Sequence, residues 1–173
     1  MNKNWYAVYT KALCEKKVAS LLTKKKIENF CPINRTISGT PNYRRRIMYE
    51  PLFPSFVFVY ITPAEMNFVS QTNDVINFVY WIGKPAVIKA VEIENIHSIV
   101  NAYYNIRIEK TAVNPGGTLR ISEENGINMD MAIVSSTITK ITLPSLGYVL
   151  ITETGKSTVE FINSGLENSN ALI

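Results

Sequence analysis

Chemically reactive side chains are scarce in this chain of 173 residues and 19.5 kDa. It carries two cysteines, Cys14 and Cys31, and one histidine, His97. Two thiols cannot build a disulfide framework, and with a single imidazole they complete no common zinc set, so neither a metal nor a cofactor is expected. Long apolar stretches are also missing. The longest run, Phe56 to Ile61, is far below the roughly 20 residues of a membrane span. Met1-Asn2-Lys3-Asn4 leads into an aromatic alternation and not into a signal-peptide segment, so a soluble cytoplasmic protein with no membrane contact is expected. There is no P-loop, and no glycine-rich phosphate loop follows a strand. The carboxylates are scattered, and Glu92 and Glu94 are spaced too closely to share a helix face. His97 and Cys14 both fall on or beside the apolar side of expected helices, where packing is the ordinary role. Nothing assembles a nucleophile, a base and an orienting group, and the chain reads as a binding protein and not an enzyme.

What is present is a large apolar share and an uneven charge. Apolar residues make up 46% and charged residues 18%, enough to bury a core and to argue against global disorder. The formal charge of +4 is the balance of +7 over residues 1–110 and −3 over residues 111–173. That asymmetry divides the chain into a unit suited to an anionic surface and a unit that is not.

Periodicity supplies the elements. Trp5 to Thr10 is aromatic and β-branched and reads as a strand. From Leu13 to about Lys24 the period becomes helical, with Cys14, Val18, Leu21 and Leu22 on one face and Lys16, Lys17 and Lys24 opposite. Ile27 to Ile33 reads as a short strand, and Ser38-Gly39-Thr40-Pro41-Asn42 as a loop leading to Arg44-Arg45-Arg46. EPLFPSFVFVYI, residues 50–61, fits a buried central strand entered through a proline-stiffened segment. Thr62-Pro63-Ala64-Glu65 is a capping-box signal for a short helix to about Thr72. Val75 to Ile82 reads as another apolar strand turning at Gly83-Lys84-Pro85, and Val91 to Tyr104 as a helix. Asn114-Pro115-Gly116-Gly117 punctuates a linker over 105–117. Runs at 118–122, 132–141, 147–152 and 158–162 then suggest four or five strands of a small all-β unit, with a flexible tail at 164–173.

Two features point to partners. Lys16, Lys17 and Lys24 on one helix face, and Arg44, Arg45 and Arg46 between Tyr43 and Tyr49, are candidate phosphate contacts, although a charge run is commonly just a solvated face. Ten aromatic residues crowd three expected strands: Trp5, Tyr6, Tyr9, Phe53, Phe56, Phe58, Tyr60, Phe78, Tyr80 and Trp81. About half fill a core. If helices cover only one side of the central strand, the other side offers an aromatic patch to a protein.

This order of elements, together with WYAVYTKALCEKKVASLL, EPLFPSFVFV and QTNDVINFVYWIGKPAVI, resembles the NusG family of transcription elongation factors from Trp5 to about Ile162. EPLFPSFVFV resembles the RfaH branch as well as NusG, and INFVYWIGKPAVI is most similar to UpxY-type antiterminators of capsular polysaccharide operons. The resemblance implies an α+β protein: an N-terminal NGN domain at 1–104, an antiparallel sheet flanked by helices, then a linker and a small KOW-like all-β barrel at 118–163. It implies that an apolar depression grips the clamp helices of the largest catalytic subunit of RNA polymerase. Carried onto this chain, the lining is Tyr6, Tyr9, Phe53, Pro54, Phe56, Phe58 and Phe78. A basic face touching the non-template DNA strand maps to Lys11, Lys17 and Lys24, with Arg44, Arg45 and Arg46 as further candidates. Asn73 stands where RfaH has an arginine. The C-terminal unit would recruit a ribosomal protein or Rho, or mask the polymerase site, although Met131-Ala132 stand about where the KOW signature glycine belongs. The implied activity is operon-specific elongation and antitermination. Two alternatives remain: a general NusG-type elongation and termination factor, and an RNA- or ribosome-associated module with no polymerase role.

Overall fold

The computed structural model describes residues 2–38, 46–110, 121–125 and 136–155. Its centre is β1 (Asn4–Thr10). This strand pairs antiparallel with β5 (Phe56–Ile61) from Asn4↔Ile61 to Tyr9↔Phe56. Its other edge is shared by β6 (Val75–Phe78) and β9 (Val87–Ile88). With β2 (Glu28–Phe30) outside β5, the sheet runs β2-β5-β1-β6.

Strand side chains alternate between faces, and here both faces pack against other elements, the first fully and the second in part. Tyr6, Val8, Val57, Val59 and Ile61 point to the first face, under Val18 and Leu22 of α1 (Glu15–Lys24) and Val69 of α2 (Met66–Ser70). Ala7, Phe56 and Phe58 point to the second, under Ile93 and Ile96 of α3 (Ala90–Ala102) and residues from the C-terminal part of the chain. This is why Phe56 to Ile61 is continuously apolar: both sides of the strand are covered over most of its length, with only Phe56 and Tyr60 partly exposed. No helix among the described residues is long and apolar enough to cross a membrane.

The ends of α1 show how local sequence sets its length. Lys26 adopts a left-handed φ of 60°, its N–H bonds Thr23 O at 2.9 Å, and the Ile27 N–H bonds Leu22 O at 3.0 Å. This is a Schellman termination, and Ile27 and Leu22 complete it by packing in the same core. The capping-box signal at Thr62 is realised as a 3-10 turn, Pro63–Glu65, that runs into α2. The Glu65 carboxylate accepts from Thr62 N–H at 2.8 Å and from its hydroxyl at 2.9 Å, which pulls the Glu65 pKa below the usual carboxylate range.

Three expected strands are divided. Residues 27–33 are not one strand: Pro32, which lacks an N–H, separates β2 from β3 (Ile33–Ser38). β3 forms a two-stranded arm with β4 (Arg46–Pro51), from Ile33↔Pro51 to Ser38↔Arg46. The stretch 50–61 is split by a turn in which Ser55 takes φ 63°. The stretch 75–82 ends as a strand at Phe78, and β7 (Tyr80–Trp81) then pairs with β8 (Lys84–Pro85). The Ile82-Gly83 turn between them has φ of 47° and 73°, the mirror-image geometry that matches strand twist in two-residue hairpins. Apolar patterning registers burial and misses such breaks.

A second sheet, β10-β13-β12-β11, joins β10 (Arg107–Lys110), β11 (Ile121–Asn125), β12 (Ser136–Leu143) and β13 (Tyr148–Gly155). β10 falls inside the stretch read as linker, and pairs with β13 from Arg107↔Ile151 to Lys110↔Tyr148. The β12–β13 connection is a tight turn in which Leu146 and Gly147 N–H both bond Leu143 O. Residues 39–45, with most of the expected loop and Arg44 and Arg45, lie outside the described residues, as do 111–120, 126–135, the expected strand at 158–162 and the tail.

Candidate partner-binding and nucleic-acid faces

The seven aromatic and proline candidates separate by strand parity. Tyr6 and Phe78 stand on the first face, buried beneath α1 and α2 and edge-to-face at 6.1 Å. Tyr9, Phe53, Pro54, Phe56 and Phe58 belong to the other side. Tyr9 and Phe56 are register partners with ring centroids 4.7 Å apart, and Phe53 meets Phe58 edge-on at 5.4 Å. Phe53 and Phe58 form the floor, at 2% and 0% exposure. Tyr9 is 40% exposed and Phe56 half-buried, so this ring pair forms an accessible ledge, and Pro54, two residues before Phe56, is exposed.

The turn that presents Phe53 is anchored from α1. The buried Glu15 carboxylate accepts from Ser55 N–H at 2.6 Å, and Ser55 O accepts from Thr10 N–H at 2.9 Å. Phe56 N–H closes back onto Phe53 O at 3.2 Å. A left-handed residue inside a proline-containing segment is thus held by a side chain forty positions earlier.

Part of this aromatic face is covered by the chain itself. Tyr148 at the start of β13 packs edge-on against Phe53 (5.9 Å) and Phe56 (6.4 Å), while Leu143 and Leu150 enter the same core. One polar contact fixes this cover to α3. Glu92, fully buried in the first turn, accepts from Ser145 N–H at 3.1 Å and from its hydroxyl at 3.0 Å through Oε1. Its Oε2 is buried without a partner, and burial pushes the Glu92 pKa up. Sequence reasoning noted LPSLGYVLI, residues 143–151, as a resemblance but gave neither Tyr148 nor Ser145 a role. The available signal was LPSLGY, a turn with apolar residues at both ends.

The basic candidates also divide. Lys17 Nζ lies 2.7 Å from Asp74 Oδ2 and Lys11 Nζ 3.2 Å from Asp74 Oδ1. The hydrogen bond to Lys17, then that to Lys11, holds Asp74 below the usual carboxylate range, and the same bond to Asp74 raises Lys17. Lys24 is exposed in the last turn of α1. Lys16 turns aside to donate to Tyr49 O at 2.6 Å. Arg46 is exposed at the start of β4. His97 stacks flat on Phe30 at 3.9 Å, a packing role, and burial pushes the Cys31 thiol up to about 11, where it stays protonated and unreactive near neutrality.

The family model described as NusG, "Transcription termination factor nusG", matches residues 3–97, more than half of the chain. No curated protein sequence matches. Among solved structures, one titled "Domain interaction in Thermotoga maritima NusG" is 22% identical, covers 90% of this chain and 94% of that one, and has a TM-score of 0.47. A MjSpt4:Spt5 complex is 19% identical over 88% of this chain and 99% of that one, with a TM-score of 0.34. The matched residues span both faces of the first sheet and most of α3, and the chain belongs to the NusG family of non-enzymatic transcription factors.

Proposed function

We propose that this chain is an operon-specific elongation and antitermination factor that binds RNA polymerase and suppresses pausing and termination, with surface or capsular polysaccharide operons as targets. The observation that carries the reading is the accessible ring pair of Tyr9 and Phe56 beside the buried pair of Phe53 and Phe58, with Pro54 exposed between Phe53 and Phe56 in sequence. An exposed aromatic rim over a packed aromatic base is the anatomy of a protein-binding hot spot. It suits the apolar ridge of a helix pair such as the polymerase clamp helices. Tyr6 and Phe78 support that face from beneath the sheet. Lys11, Lys17 and Lys24, with Arg44, Arg45 and Arg46, would meet the non-template DNA strand. The C-terminal strands would form a KOW-like barrel that meets a ribosomal protein or Rho.

No bond is made or broken in this mechanism; it works through differential binding. A helix seated on Phe56 competes with Tyr148 for the same ring, so polymerase engagement displaces the β12–β13 turn. The polymerase must supply the free energy that separates the two arrangements.

The test is chromatin immunoprecipitation of the tagged protein beside RNA polymerase, with transcript coverage in a deletion strain. Occupancy confined to a few long operons whose distal transcripts fall on deletion is the expected result. Occupancy that follows polymerase everywhere makes the protein a general factor, and no co-occupancy removes the polymerase reading. A Tyr9→Ala/Phe56→Ala variant should lose polymerase capture while keeping its fold. Phe58 is unsuitable as a probe because its fully buried ring belongs to the core.

A further inference from the structure

The two lysines on the candidate nucleic-acid face share one carboxylate. Asp74 lies in the turn between α2 and β6, its side chain only 14% exposed, while Lys11 and Lys17 remain 66% and 65% exposed. The carboxylate is fixed: Asp74 O also accepts from Lys11 N–H at 2.9 Å, and the residue holds a left-handed φ of 68°. Each ammonium gives one of its three donors to Asp74 and keeps the others for solvent or a ligand. The local sum is therefore one net positive charge where the sequence alone shows two. A phosphodiester approaching from outside meets both ammonium groups and, directly behind them, a fixed negative charge. Exposed charges this close are weakly screened at physiological salt, so the carboxylate opposes the ligand as the lysines attract it.

We propose that Asp74 is an affinity-limiting residue of this face: by pairing with Lys11 and Lys17 it keeps the free protein from binding nucleic acid strongly. This rests on the reading of the Lys11–Lys17 face as a nucleic-acid contact, and it sharpens that reading. Nucleic acid is then engaged only where a second interaction, such as docking on polymerase, raises the local concentration. Non-specific capture along the chromosome, which is largely electrostatic, is suppressed.

The test is fluorescence anisotropy of full-length protein with a labelled oligothymidylate across a salt series. The proteins compared are wild type, Asp74→Asn, Lys11→Gln/Lys17→Gln and the triple variant. Asparagine tolerates the left-handed backbone at position 74, and thermal unfolding of each variant controls for folding. Asp74→Asn should bind several-fold more tightly than wild type, with a salt slope steeper by up to roughly 0.7, the value for one added charge on a single strand. The triple variant should lose that gain. If Asp74→Asn binds no more tightly while Lys11→Gln/Lys17→Gln weakens binding, the lysine reading stands and the role given to Asp74 is overturned. If no substitution changes binding, the nucleic-acid reading of the face fails, and the inference with it.

Discussion

The two faces of the first sheet are closed by different means. On the first face, mainly aliphatic residues of β1 and β5 lie under α1 and α2, helices connected directly to those strands in sequence. On the second, an aromatic layer lies under α3 and a turn about ninety residues further along the chain, and one buried carboxylate with an orphaned oxygen is part of the closure. A locally closed face stabilises the fold as soon as its strands form. A face closed by a distant segment can be opened without unfolding what lies behind it, provided a partner replaces the cover. On the proposed reading, the first face serves stability and the second serves recognition.

The largest expected effect tests the first half of that contrast. Leu22→Ala removes a fully buried side chain between α1 and the sheet, and should cost about 2–5 kcal/mol of global stability. A single cooperative urea transition at a lower midpoint is the expected observation. Loss confined to α1, with the rest of the sheet still protected from hydrogen exchange, would show that the first face is not the stabilising one.

A smaller effect tests the second face. Ser145→Ala removes one of the two donors to Glu92 and leaves a buried carboxylate less satisfied, a change of about 1–3 kcal/mol. The loss should fall on the closure and not on the fold. Exchange should rise in β12, β13 and the first turn of α3, with β1, β5 and α1 unchanged, and polymerase capture should improve. A uniform loss of protection would mean the two sheets unfold as one unit.

The smallest effect is a pH dependence of opposite sign on the two sides. Glu92 titrates above its ordinary value in the closed arrangement, so the closed state binds a proton more readily than the open one. Closure therefore strengthens as pH falls through the window between the ordinary glutamate value and the raised one, and is weakest above it. Asp74 and Glu65, beside α1 and α2, are lowered. Their stabilisation is present above the ordinary carboxylate range and is lost as pH falls through their lowered values. Hydrogen exchange of β12 and β13 at two pH values inside the Glu92 window, in wild type and Glu92→Gln, separates the two. The variant should lose the acid-side gain, and identical profiles would remove Glu92 from the closure.

Much of the first unit was legible. Alternation in WYAVYT and the helical spacing of Val18 and Leu22 gave β1 and α1 nearly to the residue, because a two-residue and a 3.6-residue period are distinct over such lengths. Parity also held information that the resemblance obscured. Tyr6 and Tyr9 are three apart in one strand and so point to opposite faces, and the structure indeed separates them. The hairpin arm of β3 and β4 was less legible, since its strands pair mainly with one another and show no clean apolar period. The break after Phe78 was hidden because apolar residues continue through Val79 to Ile82, so no turn residue marks the place where the chain leaves β1 for the β7–β8 hairpin.

Local sequence thus determined the places of β1, α1 and α3, the surplus of aromatics and the basic bias of residues 1–110, because each follows from near-neighbour periodicity or from composition. Three features belong to tertiary structure alone: that Asp74 reaches back to Lys11 and Lys17, that Glu15 holds the turn before Phe56, and that Tyr148 and Ser145 close over the aromatic face. Each joins residues forty or more positions apart in sequence. No periodicity records such a pairing; it exists only once the sheet has set the distance between them.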